Sequence, residues 1–210
     1  MRWRKKNWRG VRLKKLDGYH KCLSEQVFIL EKILNENKDL ISILMVLEKS
    51  GLDYWYVGAG AINQTVFNYY HGNEINYGIK DYDIVYYDSD LSYEKEDFVI
   101  KKLCGELGDL AYIVDIKNEA RVHLWYNRKY HTTREPYSSV EDAISSWGAT
   151  ITCVGVRLVN GKLEVYAPYG LDDIFGMIIR PVKREFSKEM YDERAKRWMR
   201  KWPKLKKIEW

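Results

Sequence analysis

The chain has 210 residues, 46% of them hydrophobic and 31% charged, with a formal net charge of +5. This balance, with 17 Tyr and 8 Trp, excludes a disordered chain and supports one globular core with appendages. No apolar run approaches the roughly 20 residues that cross a bilayer, and the basic N-terminus lacks the apolar stretch of a secretory signal, so a cytoplasmic protein with no membrane partner is expected.

In chain order the first feature is a basic segment over residues 1–21, containing "RWRKKNWRGVRLKK", set apart from one main unit over 22–210. Basic residues interleaved with Trp can meet phosphates and stack on bases, so nucleic acid is a candidate partner for this segment and for "RAKRWMRKWPKLKK" near the C-terminus. The competing reading, favoured for the C-terminal stretch, is a helix whose Trp residues dock on the core while Lys and Arg face water. Apolar residues at helical spacing, Val27, Leu30 and Leu34, then Leu40, Ile43, Leu44 and Leu47, predict two helices; Asn37 or Asp39 caps the second and Gly51 stops it. "DYWYVGAG" predicts a strand running into glycines, and "AINQTVFNYYHG" a helix stopped by Gly72. "DYDIVYYD" predicts a strand, "SYEKEDFVIKKLCGELG" a helix and "AYIVDI" a short strand that "RVHLWYN" continues or pairs with. "ATITCVGVRLVNGKLEVYAP" reads as a hairpin turning at Asn160-Gly161, Asp172-Asp173 as a helix start, and "SKEMYDERAKRWMRKW" as a closing helix. Cys22, Cys104 and Cys153 are too scattered for a disulfide framework or a zinc knuckle.

The order of the parts points to chemistry. A strand ending in Gly58-Ala59-Gly60 is followed by a helix, then by a strand opening with Asp81-Tyr82-Asp83, then by a strand carrying Asp115. Residues i and i+2 of a strand share a face, so Asp81 and Asp83 can converge on one cation, and Asp115 on an adjacent strand completes a carboxylate cluster. Hard oxygen ligands of this kind suit Mg²⁺ or Mn²⁺ that also binds phosphate oxygens, and a glycine-rich turn into a helix lets backbone approach phosphate. Taken singly, each piece is more often structural, since Asp-x-Asp is common at strand ends and Gly-x-Gly is a weak signal. Their joint order is what favours nucleotidyl transfer. The loop "DSDLSYE" has alternating oxygen groups, but Tyr93 and Val99 stand where a calcium loop needs its glycine and its bidentate Glu.

"YVGAGAINQTVFNYYHG", "GIKDYDIVYYD", "NEARVHLWY" and "VYAPYGLDDIFGMIIRP" together resemble the bacterial nucleotidyltransferase-like family of the polymerase-beta type superfamily, over most of the chain. The resemblance implies an α+β fold, a small mixed sheet flanked by helices with helical N- and C-terminal additions, and metal-dependent transfer of a nucleoside monophosphate from an NTP. It implies that Gly58 and Gly60 line the triphosphate, that Asp81 and Asp83 bind Mg²⁺ or Mn²⁺, and that Asp115 is the third carboxylate. The motif here is Gly-Ala-Gly, where the superfamily usually has Gly-Gly or Gly-Ser. If the strand through Asp115 runs unbroken, Lys117, Arg121, His123 and Trp125 share its face, which makes Arg121 and His123 candidate nucleotide ligands; a turn at "KNEA" would reset that parity. The acceptor stays unidentified, and a catalytically silent nucleotide- or RNA-binding module and an interaction protein with an incidental acidic strand end are the alternatives.

Overall fold

The structure, a computed structural model, describes residues 17–130 and 133–210. Two amphipathic helices open it, α1 (Leu23–Leu34) and α2 (Lys38–Lys49), and both turn their apolar stripes inward. Asn37 caps α2 by accepting from Leu40 N at 3.1 Å. Its amide also donates to Thr65 Oγ1 and its carbonyl accepts from the Tyr82 hydroxyl, so this buried residue ties α2 to the helix and strand that carry the site.

Strand β1 (Trp55–Gly58) leads into α3 (Gly60–His71), which Gly72 ends at φ 72°, a left-handed conformation that carries no Cβ penalty in glycine. Strand β2 (Tyr82–Tyr86) follows, then α4 (Tyr93–Leu107) and β3 (Val114–Asn118). A five-stranded mixed sheet results when β4 (Gly155–Val159) and β5 (Lys162–Tyr166) are added, in the order β3-β2-β1-β4-β5. β2 and β3 are parallel; the other neighbours are antiparallel. The β4–β5 hairpin turns at Asn160 and Gly161, with φ of 52° and 71°, as the sequence predicts. One face of the sheet, with Val57, Ile84 and Ile116, packs on the helical layer; the other, with Tyr56 and Val85, packs on the short helix α6 (Val140–Ile144).

Three expectations are corrected. "AYIVDI" opens as a 3-10 turn over Gly108–Ile113 and becomes strand only at Val114. "RVHLWYN" neither continues nor pairs with that strand but forms helix α5 (Val122–Tyr130). The cause lies at Asn118: β2 ends at Tyr86, in register with Asn118, so the ladder has no partner beyond it. The Asn118 side chain then bonds both N–H and C=O of Asp88 and caps a second 3-10 turn, Glu119–Arg121, by accepting from Ala120 N at 3.1 Å. Finally, "ATITCV" is turn structure, and the hairpin's first strand starts at Gly155.

Helix α7 (Asp172–Phe175) starts at the acidic pair as expected, and α8 (Lys188–Lys201) closes the fold beside a two-stranded parallel ribbon, β6 (Ile178–Ile179) with β7 (Lys206–Lys207). Trp198 and Trp202 are buried while Arg197, Arg200 and Lys201 are exposed, so the C-terminal basic stretch is largely a solvated helix face docked by its Trp residues. Of the basic segment over residues 1–21, positions 1–16 lie outside the described residues; Gly18 N donates to the Tyr70 hydroxyl and His20 N to Asp172 Oδ1, which docks the remainder on the core. Among the described residues no helix is long and apolar enough to cross a membrane.

Candidate active site

Register places the motif residues in one row across the sheet. Asp115 on β3 stands opposite Asp83 on β2, Asp83 opposite Gly58 on β1, and Gly58 opposite Gly155 on β4. Residues paired across a ladder face the same side, and alternation adds Val85 on β2 and Lys117 on β3 to that side, while Asp81 immediately precedes β2. Lys117 Nζ lies 2.5 Å from Asp115 Oδ2 and 3.9 Å from Asp83 Oδ1, so its ammonium stands between the two carboxylates.

The electrostatics follow from this crowding. Burial pushes the Asp83 carboxyl up to about 6; Lys117 opposes the rise, while Asp81 and Asp115 add to it. Burial pulls the Lys117 ammonium down, but the hydrogen bond and charge of Asp115 outweigh it and hold the group above its ordinary value. Glu119, in the turn after β3 and 4% exposed, is pushed up to about 8 by burial, against the pull of Lys117.

At Asp83 this row meets a cavity of about 260 Å³, walled by Ala59, Asp83, Lys117 and Glu119, by aromatic residues including Trp125, Trp147 and Phe186, and by Arg134, Glu185 and Arg194; Gly58, Gly60, Asp81 and Asp115 are not in its wall. Its far wall is a closed network. Arg134 pairs with Glu185 at 2.6 Å and donates to the Tyr137 hydroxyl at 2.9 Å, and that hydroxyl donates to Glu185 at 2.6 Å. Glu119, Arg134, Tyr137, Glu185 and Arg194 are site residues that sequence reasoning missed. They sit in a turn, in loops and on a distant helix, and none has a local signature beyond being polar.

The glycine turn is also set by packing. Ala59, between Gly58 and Gly60, takes a positive φ of 50° with ψ −121°, lines the cavity and heads α3, whose first turn carries no side-chain cap. Gly58 is required by packing: a Cβ there would lie 2.7 Å from the Trp147 ring and 2.9 Å from the Val154 carbonyl. At Gly60 a Cβ would meet only the end of the Gln64 side chain. Gly58→Val is therefore expected to cost roughly 1–3 kcal/mol through overpacking and Gly60→Ala under about 0.5 kcal/mol, as read from urea unfolding midpoints. Equal midpoints for the two variants would contradict this account of Gly58.

Arg121 and His123 are not among the cavity walls. Arg121 is paired with Glu96 of α4, its Nε donates to Leu91 O, and Glu96 in turn accepts from Asn118 N, so the guanidinium braces the end of β3. His123 lies on α5, its Nδ1 buried and without a partner among the described residues. Arg121→Met, which leaves a mostly buried Glu96 with its Asn118 N–H bond but no counter-charge, is expected to lower stability by about 3 kcal/mol, with part of the loss restored in the Arg121→Met, Glu96→Gln pair. A fall in nucleotide affinity beyond what unfolding explains would instead mark Arg121 as a nucleotide ligand.

Among the described residues no three carboxylate, imidazole or thiol groups sit close enough to enclose a metal ion. The chemistry of the row still fits one: Asp83 and Asp115 are hard oxygen donors that share a cation already, the Lys117 ammonium standing in for it, and Mg²⁺ typically takes only one or two carboxylates beside substrate phosphates and water.

Residues 45–207 match a protein family described as Nucleotidyltransferase, and the chain belongs to that family. A solved structure described as an NMR structure that reveals a CCA-adding enzyme head domain is similar at 26% sequence identity, with a TM-score of 0.69, over 87% of this chain and 96% of that one. No curated protein sequence gives a significant match. The protein is thus an α+β nucleotidyltransferase of the polymerase-beta type.

Proposed function

We propose that the protein transfers a nucleoside monophosphate from an NTP to an acceptor hydroxyl, with a divalent cation bound by Asp83 and Asp115 together with the substrate phosphates. The observation that carries this reading is the register of Asp115, Asp83 and Gly58 in one row across the sheet, with Asp83 in the cavity wall. In the transfer, the acceptor oxygen bonds to the α-phosphorus, the α–β phosphoanhydride bond breaks and pyrophosphate leaves. Mg²⁺ or Mn²⁺, when bound, would neutralise phosphate charge. Asp115 takes the acceptor proton, Lys117 offsets the carboxylate charge, and the α3 N-terminus and Ala59 backbone approach the phosphates.

The similarity to a CCA-adding enzyme head domain favours a nucleic-acid end as acceptor, and the basic residues exposed on α8 supply charge for it. Two measurements test the reading. Thermal unfolding with Mg²⁺ and each NTP should show stabilisation, and labelled NTP with an RNA pool should give labelled RNA and pyrophosphate. Stabilisation by nucleotide without transfer to RNA or to any component of a cell extract would leave a silent nucleotide-binding module.

A further inference from the structure

Helix α8 sends one cation into the cavity. Arg194 lines it beside Asp83, Ala59 and Lys117. Its guanidinium lies over the Phe186 ring at 4.5 Å and the Trp198 ring at 5.8 Å, and Nη1 donates to Trp147 O at 3.4 Å. Other arginines around the core are matched by carboxylates: Arg134 by Glu185, Arg121 by Glu96, Arg184 by Asp142 and Arg180 by Asp173. Arg194 alone among these has no carboxylate within ion-pair distance among the described residues. Burial and the like charge of Arg197 pull its guanidinium below the usual arginine range.

A guanidinium has five N–H donors in a planar fork, and here one is spent on a long bond to a carbonyl. A largely buried cation facing a cavity with its donors unspent calls for an anion from outside the chain. The adjacent groups narrow its class. The walls also carry Asp83, Glu119 and Glu185, of which Glu185 is matched by Arg134 and Asp83 faces Lys117; the unmatched guanidinium beside Ala59, at the uncapped N-terminus of α3, suits a polyphosphate.

We propose that Arg194 binds the polyphosphate of the nucleotide, so that α8 completes a site whose other parts lie on β1, α3, β2 and β3. The proposal rests on the nucleotidyl-transfer reading and assigns its donor side. It makes Arg194 the exception on an otherwise solvated basic helix face.

The test is calorimetric titration of the full chain with inorganic tripolyphosphate and with a non-hydrolysable NTP, both in Mg²⁺. Arg194→Met keeps a stem to pack on Phe186 and Trp198 and should raise Kd for both probes roughly ten- to a hundredfold. Arg194→Lys, a point charge without the fork, should lose less, and Arg197→Met, an exposed neighbour on the same helix, should bind as the parent does. Should Arg194→Met fail to fold, Arg194→Gln carries the same expectation. Parent-like affinity in either neutral variant, or failure of the parent to bind both probes, overturns the assignment. Arg194-dependent tripolyphosphate binding without nucleotidyl transfer supports the subsite and refutes the transfer reading.

Discussion

Asp83→Asn should abolish transfer while making the metal-free protein more stable. The Asp83 carboxyl is crowded by burial, by Asp81 and by Asp115, which raises it to about 6 from 3.8. A carboxyl raised on folding contributes stability that is fully present below its unfolded pKa and is lost as pH rises through the folded value. The parent therefore carries a penalty that grows between about pH 4 and pH 6 and levels off above it. Asn keeps the shape without the charge and escapes that penalty. At pH 7.5 in EDTA the variant should melt a few degrees above the parent, at roughly 2–4 °C per kcal/mol for a chain of this size, and the gap should close near pH 4. With Mg²⁺ and NTP the order should reverse, because the parent gains a bound cation and the variant does not. Turnover should fall roughly a thousandfold, the several kcal/mol that a catalytic metal supplies. A variant that turns over like the parent would remove Asp83 from the chemistry. A gap that persists at pH 4 would mean that its stability effect is not electrostatic.

Trp202→Ala should have the largest effect on stability. The indole is fully buried, meets Phe67 and Tyr77 edge to face, and donates from Nε1 to Asn68 Oδ1 at 2.7 Å. Asn68 in turn donates to the carbonyls of Ile75 and Tyr77, holding the loop that delivers the chain to Asp81 and β2. Truncation leaves a cavity and an underbonded amide, at a cost of about 3–5 kcal/mol. Urea unfolding with an unchanged m-value would read that loss directly. Trp202→Phe, which keeps a ring and loses the N–H bond, should cost less than half as much. A loss below about 1 kcal/mol for the alanine variant would show that the loop is held by other contacts.

Local geometry made a good part of this protein legible. Helices α1 and α2 follow from apolar spacing and the Asn37 cap, the β4–β5 hairpin from Asn160-Gly161, and strand β2 from the β-branched and aromatic residues of "DYDIVYYD", since each depends on residues a few positions apart. The sequence order of glycine turn, Asp-x-Asp and Asp115 also pointed to the class of reaction that the family membership supports. What pattern could not supply was everything set by pairing across the chain. Strand β3 stops at Asn118 because β2 ends there, which turns "RVHLWYN" into a helix and takes Arg121 to Glu96. Lys117 comes between Asp83 and Asp115 through the parallel register of two strands separated by a helix. Arg194 reaches the cavity from a helix whose sequence reads as solvated, because burial of Trp198 and Trp202 sets the rotation of that helix on the core. Periodicity assigns a face to each element; only the packed tertiary structure decides what that face meets.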